Sequence, residues 1–209
     1  IMAFMGVPTG FLIARTKRYK WMLIAGYTII TCTTFAMVAF HAGTPIWVGV
    51  LVTAVTGLGL GAIPTINTLV SQFAVPKRLL GVAVGAIFAF VFMGNAIAPA
   101  ILGSAMNQTY TRTLQESLPA ELHGLTDEGT MASIADPRVL LSAEAMTALE
   151  KAFDRAGERK SLLFRETVEA IRRSLESSLR VIFLIAAIFT CASWLLILTI
   201  PEVPIDTEK

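Results

Sequence analysis

The sequence predicts an all-α membrane protein, a partial helix bundle with about five transmembrane helices and a helical external insert. Three observations carry that expectation. Of the 209 residues 55% are hydrophobic and only 15% charged, where an ordinary soluble domain carries about 25% charge; the mean hydropathy is +0.68. The charge is also segregated. Residues 1–111 hold no Asp or Glu, twelve of the fifteen acids lie between Glu116 and Glu176, and the other three fall in the last eight residues. Finally, no charged residue lies between Lys20 and Lys77 or between Arg78 and Arg112, and a helix needs about 20 apolar residues to cross a bilayer. A disordered chain and an ordinary soluble domain are both excluded.

The hydrophobic segments follow in order. Ile1–Ala14 is short for a crossing and ends at the cluster Arg15, Lys17, Arg18 and Lys20; it reads as the tail of a helix whose beginning is missing. The chain starts with Ile rather than Met, which fits a piece of a longer polypeptide, and no signal peptide is visible. The second segment runs from Trp21 to Phe40, where Gly43 and Pro45 punctuate the chain. The third runs from Ile46 to Ala74 and stops at Val75-Pro-Lys-Arg78; the fourth runs from Leu80 to about Met106; the fifth runs from Leu179 to Ile200 and stops at Pro201. No period-two alternation suggests barrel strands, and backbone in lipid must satisfy its own hydrogen bonds, so the segments are helices. Cys32 and Cys191 both sit inside apolar runs and read as free buried thiols.

This divides the chain into four membrane segments over 1–106, the first truncated, an external loop with an amphipathic helix over 107–178, a last transmembrane helix over 179–200, and a tail over 201–209. The loops after segments one and three carry six Lys or Arg, and the loop between segments two and three carries none. By the positive-inside rule the basic loops are cytoplasmic, with Arg15, Lys17, Arg18, Lys77 and Arg78 as loop anchors. The 41–46 turn and the insert are then external and the C-terminus cytoplasmic. Within the insert Phe164, Val168, Ile171, Leu175, Leu179 and Ile182 recur at spacings of three or four, the signature of an amphipathic helix that runs on into segment five. Glu169 and Arg173 form a supporting i,i+4 pair. The insert reads as a solvated connector, with an external cap or gate as the rival reading.

Segment three is polar on one side. Thr53, Thr56, Gly57, Pro64, Asn67, Thr68 and Ser71 lie within about 60° of a common line on a helix. In segment four Gly81, Gly85, Phe88, Phe92, Asn95, Pro99 and Gly103 form a stripe of threes and fours. An amide unpaired in hydrocarbon is costly, so the stripes face each other or a water-filled cavity. Gly57/Gly61 and Gly81/Gly85 are small pairs that suit close helix packing. Asn67, Phe88, Phe92 and Asn95 are the candidate substrate-pathway residues. Pro64 and Pro99 are expected to bend or break their helices. No carboxylate lies in any span, yet a proton-coupled machine needs an intramembrane titratable group. No metal-ligand cluster, phosphate loop or nucleophile–base pair is present; Gly57-Leu-Gly-Leu-Gly61 lacks the strand a nucleotide fingerprint requires. No enzyme, cofactor, metal or nucleic-acid partner is expected.

Thr56-Gly-Leu-Gly-Leu-Gly-Ala-Ile-Pro64, Ser71-Gln72, Val75-Pro-Lys-Arg78 and Gly81-Val-Ala-Val-Gly85 resemble the C-terminal domain of a major facilitator superfamily transporter. They are most similar to the drug:proton antiporter-2 branch with 14 membrane helices, as is the long external loop before a last helix ending in Pro201-Glu-Val-Pro204. The resemblance covers nearly the whole chain. It implies a partial major-facilitator-type bundle, alternating access, and export of small amphiphilic compounds against proton influx through the bacterial inner membrane. The implied partners are the lipid bilayer and a missing N-terminal half of the same transporter; whether the insert meets a periplasmic adaptor is left open by the sequence. Gly10-Phe-Leu-Ile-Ala-Arg15 resembles the superfamily's Gly–Asp–Arg loop motif with Ala14 at the Asp position, and Val91 stands where the branch often has Arg. The rivals are an importer of the same fold and a non-transporting scaffold or gene remnant.

Overall fold

The computed structural model describes residues 2–16, 18–41, 43–118 and 160–200, together with residues 134, 135, 147 and 151. Every regular element among the described residues is helical: α1 Met2–Thr16, α2 Lys20–Val38, α3 Ile46–Ala74, a 3₁₀ turn at Lys77–Leu79, α4 Leu80–Ser117 and α5 Lys160–Thr199. Four stretches are long and apolar enough to cross a membrane: Lys20–Val38, Ile46–Val70, Lys77–Ser117 and Ser161–Thr199. The protein is an all-α membrane protein. In α1 the apolar stretch is shorter, Phe4–Ile13.

The breaks between helices have local causes. After α2 the chain turns through His41–Thr44, where the Thr44 N–H donates to the His41 carbonyl at 2.8 Å and the His41 N–H donates to Thr44 Oγ1 at 3.0 Å. Pro45, extended at φ −62° and ψ 140°, then precedes the first residue of α3, a position where proline's fixed φ restricts the chain and its missing donor costs nothing. After α3, Val75 and Pro76 are both extended. Prolines inside helices do not interrupt them: α3 continues through Pro64 and α4 through Pro99. Of the expected bend or break, the helices show no break, and in α3 Thr68 Oγ1 donates to the Pro64 carbonyl at 2.9 Å.

The chain divides into two compact units, Ile1–Ala100 with Phe183–Lys209, and Ile101–Ile182. In the first, α3 packs against α1 and α2. The backbones of α2 and α3 come close at Gly26 and Gly59, where a Cβ built on Gly59 would lie 2.8 Å from the Gly26 carbonyl oxygen and 2.9 Å from Ile30 Cγ1. The glycine pair expected to pack in segment four behaves differently: a Cβ on Gly81 or Gly85 would meet nothing within 4 Å. Ile13, Tyr19, Met22, Leu23, Ala62, Ile66 and Ile197 form one buried cluster, with Leu69 and Val70 against it. Helix α5 is tied to α2 twice. Trp194 Nε1 donates to Thr28 Oγ1 at 2.8 Å, and Lys20 Nζ donates to the Leu198 carbonyl at 3.1 Å.

In the second unit α4 continues eleven residues past Met106, to Ser117. The apolar run ends there but the amphipathic one does not. Tyr110 and Leu114, one turn apart, are buried, and the Tyr110 hydroxyl donates to the Ile134 carbonyl at 2.9 Å. Helix α5 is continuous from Lys160 to Thr199. Its buried face is not the one the large apolar residues suggest. Ile171 is fully buried, but Leu179 is 39% exposed, and the rest of the buried line is Leu163, Thr167, Ala170, Ser174 and Ser178. These hydroxyls are satisfied within the helix: Thr167 donates to Leu163 O, Ser174 to Ala170 O and Ser178 to Leu175 O. A hydroxyl that bonds its own preceding turn can be buried at little cost. Arg112–Glu116, Glu169–Arg173 and Glu176–Arg180 pair along the helices, and pairs this exposed add about 0.3–0.5 kcal/mol each. Of the expected external loop, residues 119–133, 136–146, 148–150 and 152–159 lie outside the described residues. Cys32 and Cys191 are free, but neither is buried: Cys32 is exposed and Cys191 partly so.

Candidate substrate pathway

On α3 the polar stripe is mostly turned back on its own backbone. Thr53 Oγ1 donates to Gly49 O at 2.8 Å, Thr56 Oγ1 to Val52 O at 2.8 Å and Thr68 Oγ1 to Pro64 O. Hydroxyls used this way offer no donor to a ligand, which leaves Asn67, in the last third of the helix, as the one large polar group of the stripe. Asn67 is half-buried, next to the fully buried Ile66.

On α4 the candidates are close together. Phe88 and Phe92, four residues apart, have ring centroids 6.3 Å apart with planes tilted by 30°. Asn95 follows three residues later on the same stripe. Phe88 is 50% and Phe92 68% exposed, and no residue from Leu80 to Ala100 is buried. Among the described residues the Asn95 amide has no partner. A helix of this composition therefore presents two neighbouring, tilted rings and an unpaired amide on an open face. An unpaired amide in hydrocarbon costs several kcal/mol on the order of the alkane transfer scale, so the face requires water, a polar ligand or another protein segment.

The loop anchors flank the helix ends. Arg15, Arg18, Lys77 and Arg78 are exposed, and Lys17 lies outside the described residues. Among the described residues no group of three or more His, Cys, Asp or Glu could hold a metal ion. Sequence reasoning missed the Lys20–Leu198 and Trp194–Thr28 contacts, for which no short-range pattern exists. It also missed a cavity of about 300 Å³ in the second unit, lined by Ser117, Glu166, Glu169, Ala170 and Arg173.

Helices, stripes and charge together define a polytopic membrane protein. The chain is 33% identical over 139 residues to a tetracycline resistance determinant of Streptomyces rimosus. The match covers 66% of this chain and 40% of that protein, so the chain spans well under half the length of its relative. No family model matches the chain. No solved structure matches it either.

Proposed function

We propose that this chain is the C-terminal part of a major-facilitator-type drug exporter of the drug:proton antiporter-2 kind, working by alternating access in the bacterial inner membrane with its C-terminus in the cytoplasm. The similarity to a tetracycline resistance determinant over 139 residues carries the reading. Two physical features support it. The open face of Phe88, Phe92 and Asn95 suits an amphiphilic, partly aromatic compound, since rings offer apolar area and the amide fixes orientation. The alternation of basic, uncharged and basic loops fits an odd–even threading of α1 to α4, and the long 107–178 connection to α5 is largely exempt from the rule by its length.

Coupling to protons needs a titratable group within the membrane. Residues 1–111 hold no Asp or Glu, so this reading assigns that group to another part of the transporter. The contribution of this chain is one wall of the substrate route. The test is accumulation of tetracycline in drug-sensitive cells expressing the polypeptide that contains this chain. The proposal expects lower steady-state drug than in control cells, restored by a protonophore. Unchanged or raised accumulation in cells where the protein is present in the membrane overturns it.

A further inference from the structure

The buried cluster of the first unit gathers the ends of four helices. Ile13 closes α1, Tyr19, Met22 and Leu23 open α2, Ile66 with Leu69 and Val70 lies in the last third of α3, and Ile197 closes α5. The basic residues follow from these same ends. Arg15 and Arg18 flank the α1–α2 connection and Lys77 and Arg78 follow α3, all exposed. Two loops separated by more than 50 residues therefore bring their charges to one end of the unit. Lys20 is engaged there as well: its ammonium bonds the Leu198 carbonyl and caps a helix whose own last turn has no basic residue.

The nearby sequence balances this charge only in part. Residues 1–111 contain no acid, and residues 201–209 hold three acids and one lysine against six basic residues in the two loops. Arg112, Arg173 and Arg180 pair with glutamates on their own helices, whereas among the described residues Arg15, Lys77 and Arg78 form no ion pair. Beside the charges stands Trp21, 45% exposed in the first turn of α2, the placement of an aromatic ring at a membrane–water boundary. At 1.5 Å per residue α2 rises about 28 Å, close to the ~30 Å of a hydrocarbon core. With α2 across the bilayer, Trp21 and the basic groups stand at headgroup depth.

We propose that this basic end is a docking surface for anionic phospholipid headgroups, with Arg15, Lys77 and Arg78 meeting the phosphates and Trp21 the glycerol region. The surface rests on the membrane reading of the fold and not on transport. Each basic group near an anionic membrane surface strengthens attraction by about fivefold, or ~1 kcal/mol.

The experiment reconstitutes the whole chain in phosphatidylcholine vesicles with a trace of spin-labelled phosphatidylglycerol or spin-labelled phosphatidylcholine, and reads the motionally restricted fraction of each. The expected result is selection of phosphatidylglycerol, lowered several-fold by R15Q/K77Q/R78Q and left unchanged by R112Q/R172Q/R173Q, with both variants of unaltered helicity. In the unaltered chain the selection should also weaken as salt rises from about 0.05 to about 0.5 M, because exposed charges are screened. Equal restriction of the two lipids overturns the proposal. So does selection that survives the first triple variant or, should that variant fail to fold, selection indifferent to salt. Loss of selection on adding inorganic phosphate at constant ionic strength assigns the site to free phosphate and also overturns it.

Discussion

Trp194 of α5 donates its indole N–H to the hydroxyl of Thr28 on α2 at 2.8 Å, and Thr28 in turn donates to the Ile24 carbonyl of its own helix at 2.7 Å. The three groups form a short relay in which each donor is used. It pairs helices that are more than 120 residues apart in sequence. Replacing Trp194 by Phe keeps an aromatic ring in place and deletes the donor together with part of the ring area, so the bond itself is isolated by a cycle with Thr28. The expected contribution of the bond is about 0.6 kcal/mol, the usual size of an interhelical hydrogen bond in a membrane protein. A double-mutant cycle with Thr28→Val, followed by denaturant unfolding in micelles, should return a coupling of that size; additive single effects would contradict the contact.

The crossing of α2 and α3 rests on two glycines. Gly59→Ala places a methyl group 2.8 Å from the Gly26 carbonyl oxygen, which forces the helices apart at a cost of about 1–3 kcal/mol. Gly26→Ala is expected to cost less, since its Cβ would stand 3.2 Å from the Gly59 oxygen. Gly85→Ala meets open space and should be neutral or raise helix stability by up to ~1 kcal/mol. Thermal unfolding of the three variants in one detergent gives the order directly.

The second unit depends on Tyr110, fully buried and bonded through its hydroxyl to Ile134 O. Tyr110→Phe leaves that carbonyl without this donor, a loss of about 1–3 kcal/mol if nothing replaces it. Limited proteolysis near Ile134 should accelerate in the variant while α2 and α3 stay protected.

For the proposed exporter, Asn95→Leu removes the unpaired amide from the open face of α4. A hydrogen bond to substrate in that setting is worth about 1–2 kcal/mol, so the half-saturating tetracycline concentration for export should rise between about fivefold and thirtyfold. Phe92→Ala should raise it too, by loss of apolar contact. Equal transport by wild type and Asn95→Leu, at equal protein in the membrane, removes Asn95 from the route.

The helices and their order were legible because they answer to composition: long uncharged runs, bounded by basic clusters or by Gly and Pro, can hardly be anything else in lipid. What depended on side-chain bonding was less legible. The buried line of α5 was misplaced by about one residue, because Thr167, Ser174 and Ser178 look polar in sequence but satisfy their hydroxyls in the preceding turn. Helix α4 outlasts its apolar segment, because hydropathy falls after Met106 while Tyr110 and Leu114 keep the helical stripe. In the candidate route, the clustering of Phe88, Phe92 and Asn95 followed from spacing alone. The close crossing did not: Gly59, between the two glycines Gly57 and Gly61 singled out in sequence, is the one set against Gly26, and only the rotation of α3 about its axis decides that.

The most direct test of the account is sidedness. With Cys32 and Cys191 replaced by Ala, single cysteines at Arg18→Cys and Gly43→Cys are exposed to a membrane-impermeant maleimide in intact cells and in inverted vesicles. Position 43 should label from outside in cells and position 18 only in inverted vesicles, as α2 crossing the bilayer once requires. Labelling of both positions from the same side would contradict it.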